Sequence, residues 1–203
     1  MHLAWDIDDT LGDCALAWIT WLRNHGYGEF THEHFQSYRL SETFKCSDTE
    51  AMERLSRFLD SDELYAMPAY PKALQIMQSL PHIQHHAVTG RPVSVQKKTR
   101  AWLDKHFPGQ LKHLHTVGTD PLKGATPHGT AGKASACKEI GANVLIEDAP
   151  MFVDACLHEG ITVILIEKPW NRKYSNTHRL LHRAKNLDEV EILLKQRFNH
   201  ENP

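Results

Sequence analysis

The chain has 203 residues, 41% of them apolar and 24% charged, with a formal net charge of -2. These values suit one soluble globular unit with a sizeable core, or one core with a modest insertion. They give no basic face for a nucleic-acid polymer or an anionic membrane, and the longest apolar run, Ile161 to Ile166, is too short to cross a bilayer.

The predicted elements begin with a strand, "HLAWDI" (2–7), that ends in the acidic string "DIDDTLGD". About seventy residues with a helical pattern follow. "CALAWITWLRNHG" (14–26) is amphipathic and stops at Gly26. "DTEAMERLSRFLD" (48–60) has Asp48 as a candidate N-cap and Met52, Leu55 and Leu59 on one face. "YPKALQIMQSLP" (70–81) carries Pro71 in its first turn. Four more strands are predicted at "IQHHAV" (83–88), "LKHLHTV" (111–117), "NVLI" (143–146) and "ITVILI" (161–166). Helical patterns at 93–106, 133–140 and 152–158 alternate with them. Strands alternating with helices imply βαβ units and a parallel sheet covered on both faces.

Cys14, Cys46, Cys137 and Cys156 form no CxxC pair and are expected as reduced thiols of a cytosolic protein. No secretory leader is expected, because Asp6 falls where its apolar stretch would be. Among the 15 histidines, "HIQHH" (82–86) and "HLH" (113–115) lack the companion ligands of a zinc site, so they read as surface or strand-edge residues.

Asp6 and Asp8 are two residues apart at the carboxyl end of a strand, a spacing that puts both side chains on one side. Ligand sites of open parallel sheets lie outside such strand ends. Paired carboxylates repel, and a hard cation such as Mg2+ relieves that repulsion. An EF-hand loop starting at Asp6 would need Gly at its sixth position and Glu at its twelfth, where this chain has Leu11 and Ala17. What survives is a nucleophile with an acid/base partner, set against a solvated acidic turn. The string alone leaves both open.

Three later elements add weight. Thr89 and Gly90 follow the second strand and offer a hydroxyl and a close backbone N–H to phosphoryl oxygens. Lys133, near a helix start, makes sense if it faces an anion. Lys123 and Lys138 are its rivals, and a P-loop is excluded by Pro127 and Ala134. Glu147 and Asp148 end the fourth strand and read as the second half of a cation site.

In this order the four elements resemble the motifs of the haloacid dehalogenase (HAD) superfamily: Asp6-Ile7-Asp8-Asp9-Thr10, Thr89, Lys133 and Glu147-Asp148. The resemblance implies an α/β fold, a three-layer αβα Rossmann-like core (1–11 and 81–203) with a parallel sheet and a small helical C1-type cap (12–80). It also implies Mg2+ and an aspartyl-phosphate intermediate, with Asp6 as nucleophile and Asp8 as acid/base. Asp6, Asp148 and the backbone carbonyl of Asp8 would hold the metal, with Glu147 orienting from behind. Retention of Asp8 favours phosphoryl transfer, since true dehalogenases lack that Asp. "DIDDTL", "TGRP", "LIEDAP" and "ILIEKPWNR" (164–172) resemble the 5'(3')-deoxyribonucleotidase-like family, although "TGRP" departs from its characterised animal members.

The implied activity is therefore a phosphomonoester hydrolase acting on a small phosphorylated substrate, a nucleoside monophosphate first. A sugar phosphate or other metabolite is the alternative, and a non-catalytic phospho-ligand-binding module the alternative of another class. Asp9 is expected to point away from the site and Asp13 to start the first helix. Of the aromatics Trp18, Trp21, Phe30, Phe35, Tyr38 and Phe44, one or two could stack on a base, while most would pack the cap. The loop 118–132 is expected to border the substrate entrance.

Overall fold

The computed structural model describes residues 1–122 and 131–199. Among them, six parallel strands form one sheet: β1 (His2–Trp5), β2 (Gln84–Pro92), β3 (Leu111–Gly118), β4 (Ala142–Glu147), β5 (Thr162–Ile166) and β6 (Leu181–Ala184), in the order β3-β2-β1-β4-β5-β6. The order reverses beside β1, so the crevice at the carboxyl ends of β1 and β4 is the switch point where such sheets bind ligands.

Side-chain alternation along the strands builds the layers. Leu3 and Trp5 of β1, with Val144 and Ile146 of β4, join one apolar cluster. It includes Ile76 and Met77 of α5 (Pro71–Ser79), Trp102 and Leu103 of α6 (Gln96–His106), and Val190 and Leu194 of α9 (Leu187–Asn199). Ala4 and Leu145 point the other way, to Ala134 and Cys137 of α7 (Ala131–Glu139) and Cys156 and Leu157 of α8 (Val153–His158). A sheet with helices on both faces is the expected three-layer αβα architecture.

Between β1 and α5 lie α1 (Cys14–Asn24), α2 (Leu40–Phe44), α3 (Asp48–Asp60) and α4 (Asp62–Tyr65). The chain leaves and rejoins the core side by side: Asp13 N–H donates to Pro68 O and Tyr70 N–H to Leu11 O, around an antiparallel bridge between Gly12 and Ala69. The helices between these crossings pack on their own aromatics, Trp18 stacking on Phe58 at 4.0 Å. After the crossings, α5 packs beside α9, with Lys72 Nζ 2.9 Å from Asp188 and 2.7 Å from Glu191.

Several elements differ from expectation. Ser47, not Asp48, caps α3, its hydroxyl accepting from Glu50 N–H, while Asp48 pairs with Arg39. β2 runs past Val88 to Pro92 because Thr89 and Pro92 pair with Thr116 and Gly118 of β3. The short polar strand β6 and helix α9 were not expected from the pattern. Asp13 caps α1, accepting from Leu16 N–H at 2.9 Å. The four cysteines are free. No helix of the described residues is long and apolar enough to cross a membrane.

Candidate active site

The acidic string departs from the sheet in a tight turn. Asp6 N–H still donates to Ile146 O, as strand pairing requires, and Ile7 O then accepts from Leu11 N–H at 2.9 Å. Asp9 takes a left-handed φ of 57°, which Asp tolerates better than most residues. Asp9 does not point idly away. It is buried, lines the cavity described below, and accepts from Ala15 N–H at the start of α1. Burial pushes its carboxyl up to about 7, with Lys168 pulling the other way.

Asp6 and Asp8 share one cavity but are gripped by different cations, Lys133 of α7 and Arg91 near the end of β2. Asp6 accepts from Lys133 Nζ of α7 at 2.6 Å, and the same ammonium donates to Glu147 at 2.7 Å and sits 4.2 Å from the Phe152 ring. Asp8 is held by Arg91, whose Nη2 and Nε reach its two oxygens at 2.6 and 3.1 Å. Arg91 is itself only 2% exposed and donates to Thr99 of α6.

Glu147 has both oxygens engaged: one takes Lys133, the other the backbone N–H groups of Asp148 and Ala149. Asp148 accepts from Trp170 Nε1 at 2.8 Å, while Asn171 Nδ2 donates to Asp148 O and Ile166 O and fixes the segment after β5. Thr89 is fully buried, its hydroxyl oxygen accepting from Arg91 N–H. Gly90 reaches the cavity; a Cβ there would come within 3.4 Å of Phe152. Lys138 pairs on the surface with Glu159, and Lys123 lies outside the described residues.

The electrostatics are unbalanced. Asp6, Asp8, Asp9, Glu147 and Asp148 converge on two buried cations, Arg91 and Lys133. Burial, with repulsion from Glu147 and Asp8, raises Asp6 to about 8 against the pull of Lys133. Burial and the charges of Glu147, Asp6 and Asp9 hold Asp148 well above the ordinary carboxylate range. Asp8 goes the other way: burial opposes its ionisation, but the Arg91 ion pair wins and lowers it. Oxygens of Asp6, Glu147 and Asp148 lie within 4.8 Å of one another. An excess of oxygen ligands and negative charge at that spacing suits a hard divalent cation.

The cavity above this floor holds about 440 Å3 and extends between α1, α3 and the carboxyl ends of the strands. Asp6, Asp8, Gly90, Lys133 and Asp148 line it, whereas Thr89 and Glu147 stand behind. Trp18, Phe35 and Tyr38 also reach it. Trp21, Phe30 and Phe44 pack within the insertion instead. Thr119 and Pro121 border it, while residues 123–130 of the expected entrance loop lie outside the described residues.

Arg91 and Trp170 are functional candidates that received no role from the sequence. Both sit in short distinctive strings, "TGRP" and "PWN", but nothing local says which carboxylate a guanidinium or an indole will meet.

No protein-family model and no curated protein sequence matches the chain. Solved structures do match. A predicted phosphatase from Clostridium acetobutylicum is 14% identical with TM-score 0.67, over 96% of this chain and 98% of that one. The L-2-haloacid dehalogenase of Xanthobacter autotrophicus, with chloropropionic acid covalently bound, is 12% identical with TM-score 0.61, over 96% and 98%. A HAD hydrolase from Bacillus subtilis bound to magnesium is 14% identical with TM-score 0.58, over 95% and 97%. The chain has the αβα Rossmann-like fold of HAD-superfamily structures.

Proposed function

We propose that the protein is a Mg2+-dependent phosphomonoester hydrolase that works through an aspartyl phosphate on Asp6. The observation that carries this reading is the floor itself. Lys133 bridges Asp6 and Glu147, Arg91 clamps Asp8, and Asp148 stands beside them at the carboxyl ends of β1, β2 and β4. A fold alone hosts many chemistries, so the argument rests on these side chains.

Asp6, Asp148 and the Asp8 carbonyl would hold the cation, because both Glu147 oxygens are already taken. The cation supplies charge neutralisation for the phosphoryl group. Asp6, drawn toward its ionised form by Lys133 against its burial, attacks phosphorus as the ester P–O bond breaks. Asp8, which Arg91 holds ionised in the free site, takes up the proton of the incoming monoester monoanion and gives it to the departing alcohol oxygen. Asp8 then takes a proton from water, whose oxygen attacks phosphorus to release phosphate and regenerate Asp6. Lys133 pulls Asp6 toward the ionised form against its burial and meets the phosphoryl charge, and the N–H of Gly90 completes the cradle, with Thr89 behind it fixing the Arg91 backbone.

The helical insertion between the Gly12 and Ala69 crossings, within the span 12–80, serves as the cap, with α5 docked on the core side. Nucleoside monophosphates are the substrates implied by the sequence resemblance, and sugar phosphates are the second class. The test is phosphate release from p-nitrophenyl phosphate with MgCl2, comparing wild type with Asp6→Asn. Turnover that is Mg2+-dependent and lost in the variant is expected. Tight nucleotide binding with no turnover of any ester would instead favour a non-catalytic binding module.

A further inference from the structure

Beyond the carboxylate floor the cavity changes character. Its far walls are Trp18 of α1, Phe35, Met52 and Leu55 of α3, and Leu64 of α4. Met52 and Leu55 are half-buried on one face of α3, and Trp18 is backed by the stacked ring of Phe58. The polar side chains at the mouth are occupied with one another. Arg39 donates to Asp48 at 2.6 and 3.3 Å, Ser41 Oγ donates to the same carboxylate at 2.5 Å, and Ser37 Oγ accepts from Arg39 N–H.

Resting on the phosphomonoesterase reading, we propose that the substrate's alcohol half is apolar: an aryl or alkyl group seated between Trp18, Phe35, Met52 and Leu55. Ligand pockets owe orientation to a few placed polar groups and affinity to apolar walls. Here the placed polar groups belong to the phosphoryl end or pair with one another at the mouth, and apart from the Tyr38 hydroxyl the deeper cap walls are apolar. A sugar brought against these walls would lose water from several hydroxyls without gaining partners for them. An apolar group of similar size meets the walls without that loss. Discrimination of roughly tenfold or more is the scale one misplaced group produces in such a pocket.

The experiment compares kcat/KM for benzyl phosphate, hexyl phosphate, glucose 6-phosphate and deoxyadenosine 5'-monophosphate. All are esters of primary alcohols, so their intrinsic reactivity is similar. Benzyl and hexyl phosphate should exceed glucose 6-phosphate by at least about tenfold, chiefly through lower KM. They should also exceed deoxyadenosine 5'-monophosphate, whose deoxyribose hydroxyl and purine nitrogens must leave water against these apolar walls. Leu55→Gln and Met52→Gln should each erase most of that preference, with the inhibition constant of inorganic phosphate unchanged and a cooperative unfolding transition retained. If the sugar phosphate or the nucleotide is preferred, the inference is overturned while the hydrolase reading stands. Equal losses against all four esters in both variants would also overturn it. Inertness toward every ester, p-nitrophenyl phosphate included, removes both.

Discussion

Replacing Lys133 by Met tests the electrostatic centre of the site without reference to turnover. The Lys133, Asp6 and Glu147 side chains are 1%, 5% and 0% exposed, so solvent screens their contacts very little. Met preserves most of the aliphatic volume but strands two buried carboxylates that repel each other. Removing one partner of a buried ion pair costs about 3–5 kcal/mol. For a chain of this size that is a fall of roughly 6–20 °C in melting temperature. The assay is urea unfolding in chelator at pH 7.5. A second variant, Lys133→Met with Glu147→Gln, should recover at least about 1 kcal/mol relative to Lys133→Met alone, because neighbouring charges couple. A single variant within about 1 kcal/mol of wild type would refute the reasoning, as would strict additivity of the two substitutions.

Trp170→Phe removes the indole N–H from Asp148, and the Mg2+ concentration for half-maximal activity should rise about tenfold, more than kcat falls; an unchanged Mg2+ titration would contradict the assigned role. His85, buried and accepting from Trp5 Nε1, is held by desolvation at about 4, below its unfolded value of about 6.5. The unfolded chain therefore binds more protons between these values, so the His85 contribution is complete above about pH 6.5 and lost as pH falls toward 4, at up to about 1.4 kcal/mol per pH unit. Urea unfolding from pH 7.5 to 4.5 should show a shallower slope for His85→Gln than for wild type. A Cβ at Gly118 would lie 1.7 Å from the backbone oxygen of Gly90, with no flexible side chain to give way. Gly118→Ala should cost about 3 kcal/mol or more, read as a lower melting temperature, and should reduce activity by displacing Gly90.

The parts of this structure legible in sequence are those written in local periodicity. The run Thr162–Ile166 is fully buried and reads as a strand, and Asp6, Lys133, Glu147 and Asp148 stand beside recognisable strand and helix ends. Leu181–Ala184 escaped because an edge strand, buried on fewer sides, tolerates His182 and Arg183. β2 was expected to end at Val88 because "TGRP" has the composition of a turn; its continuation depends on pairing with β3, a partner distant in sequence. A two-residue spacing puts Asp6 and Asp8 on one side but carries no information on which cation meets which carboxylate, since the Lys133–Asp6 and Arg91–Asp8 ion pairs join residues 127 and 83 positions apart. The apolar character of the insertion is visible in the sequence, but which aromatics face the cavity and which face each other depends on its tertiary packing.

The central claim is that Asp6 carries the phosphoryl group. Acid quenching during turnover of p-nitrophenyl phosphate with MgCl2, borohydride reduction and peptide mass spectrometry would convert an acyl phosphate at residue 6 to homoserine. Homoserine at position 6 is predicted in wild type and in larger yield in Asp8→Asn, where water is no longer activated. Turnover with no modification at position 6, or an Asp6→Asn variant as active as wild type, would contradict the account.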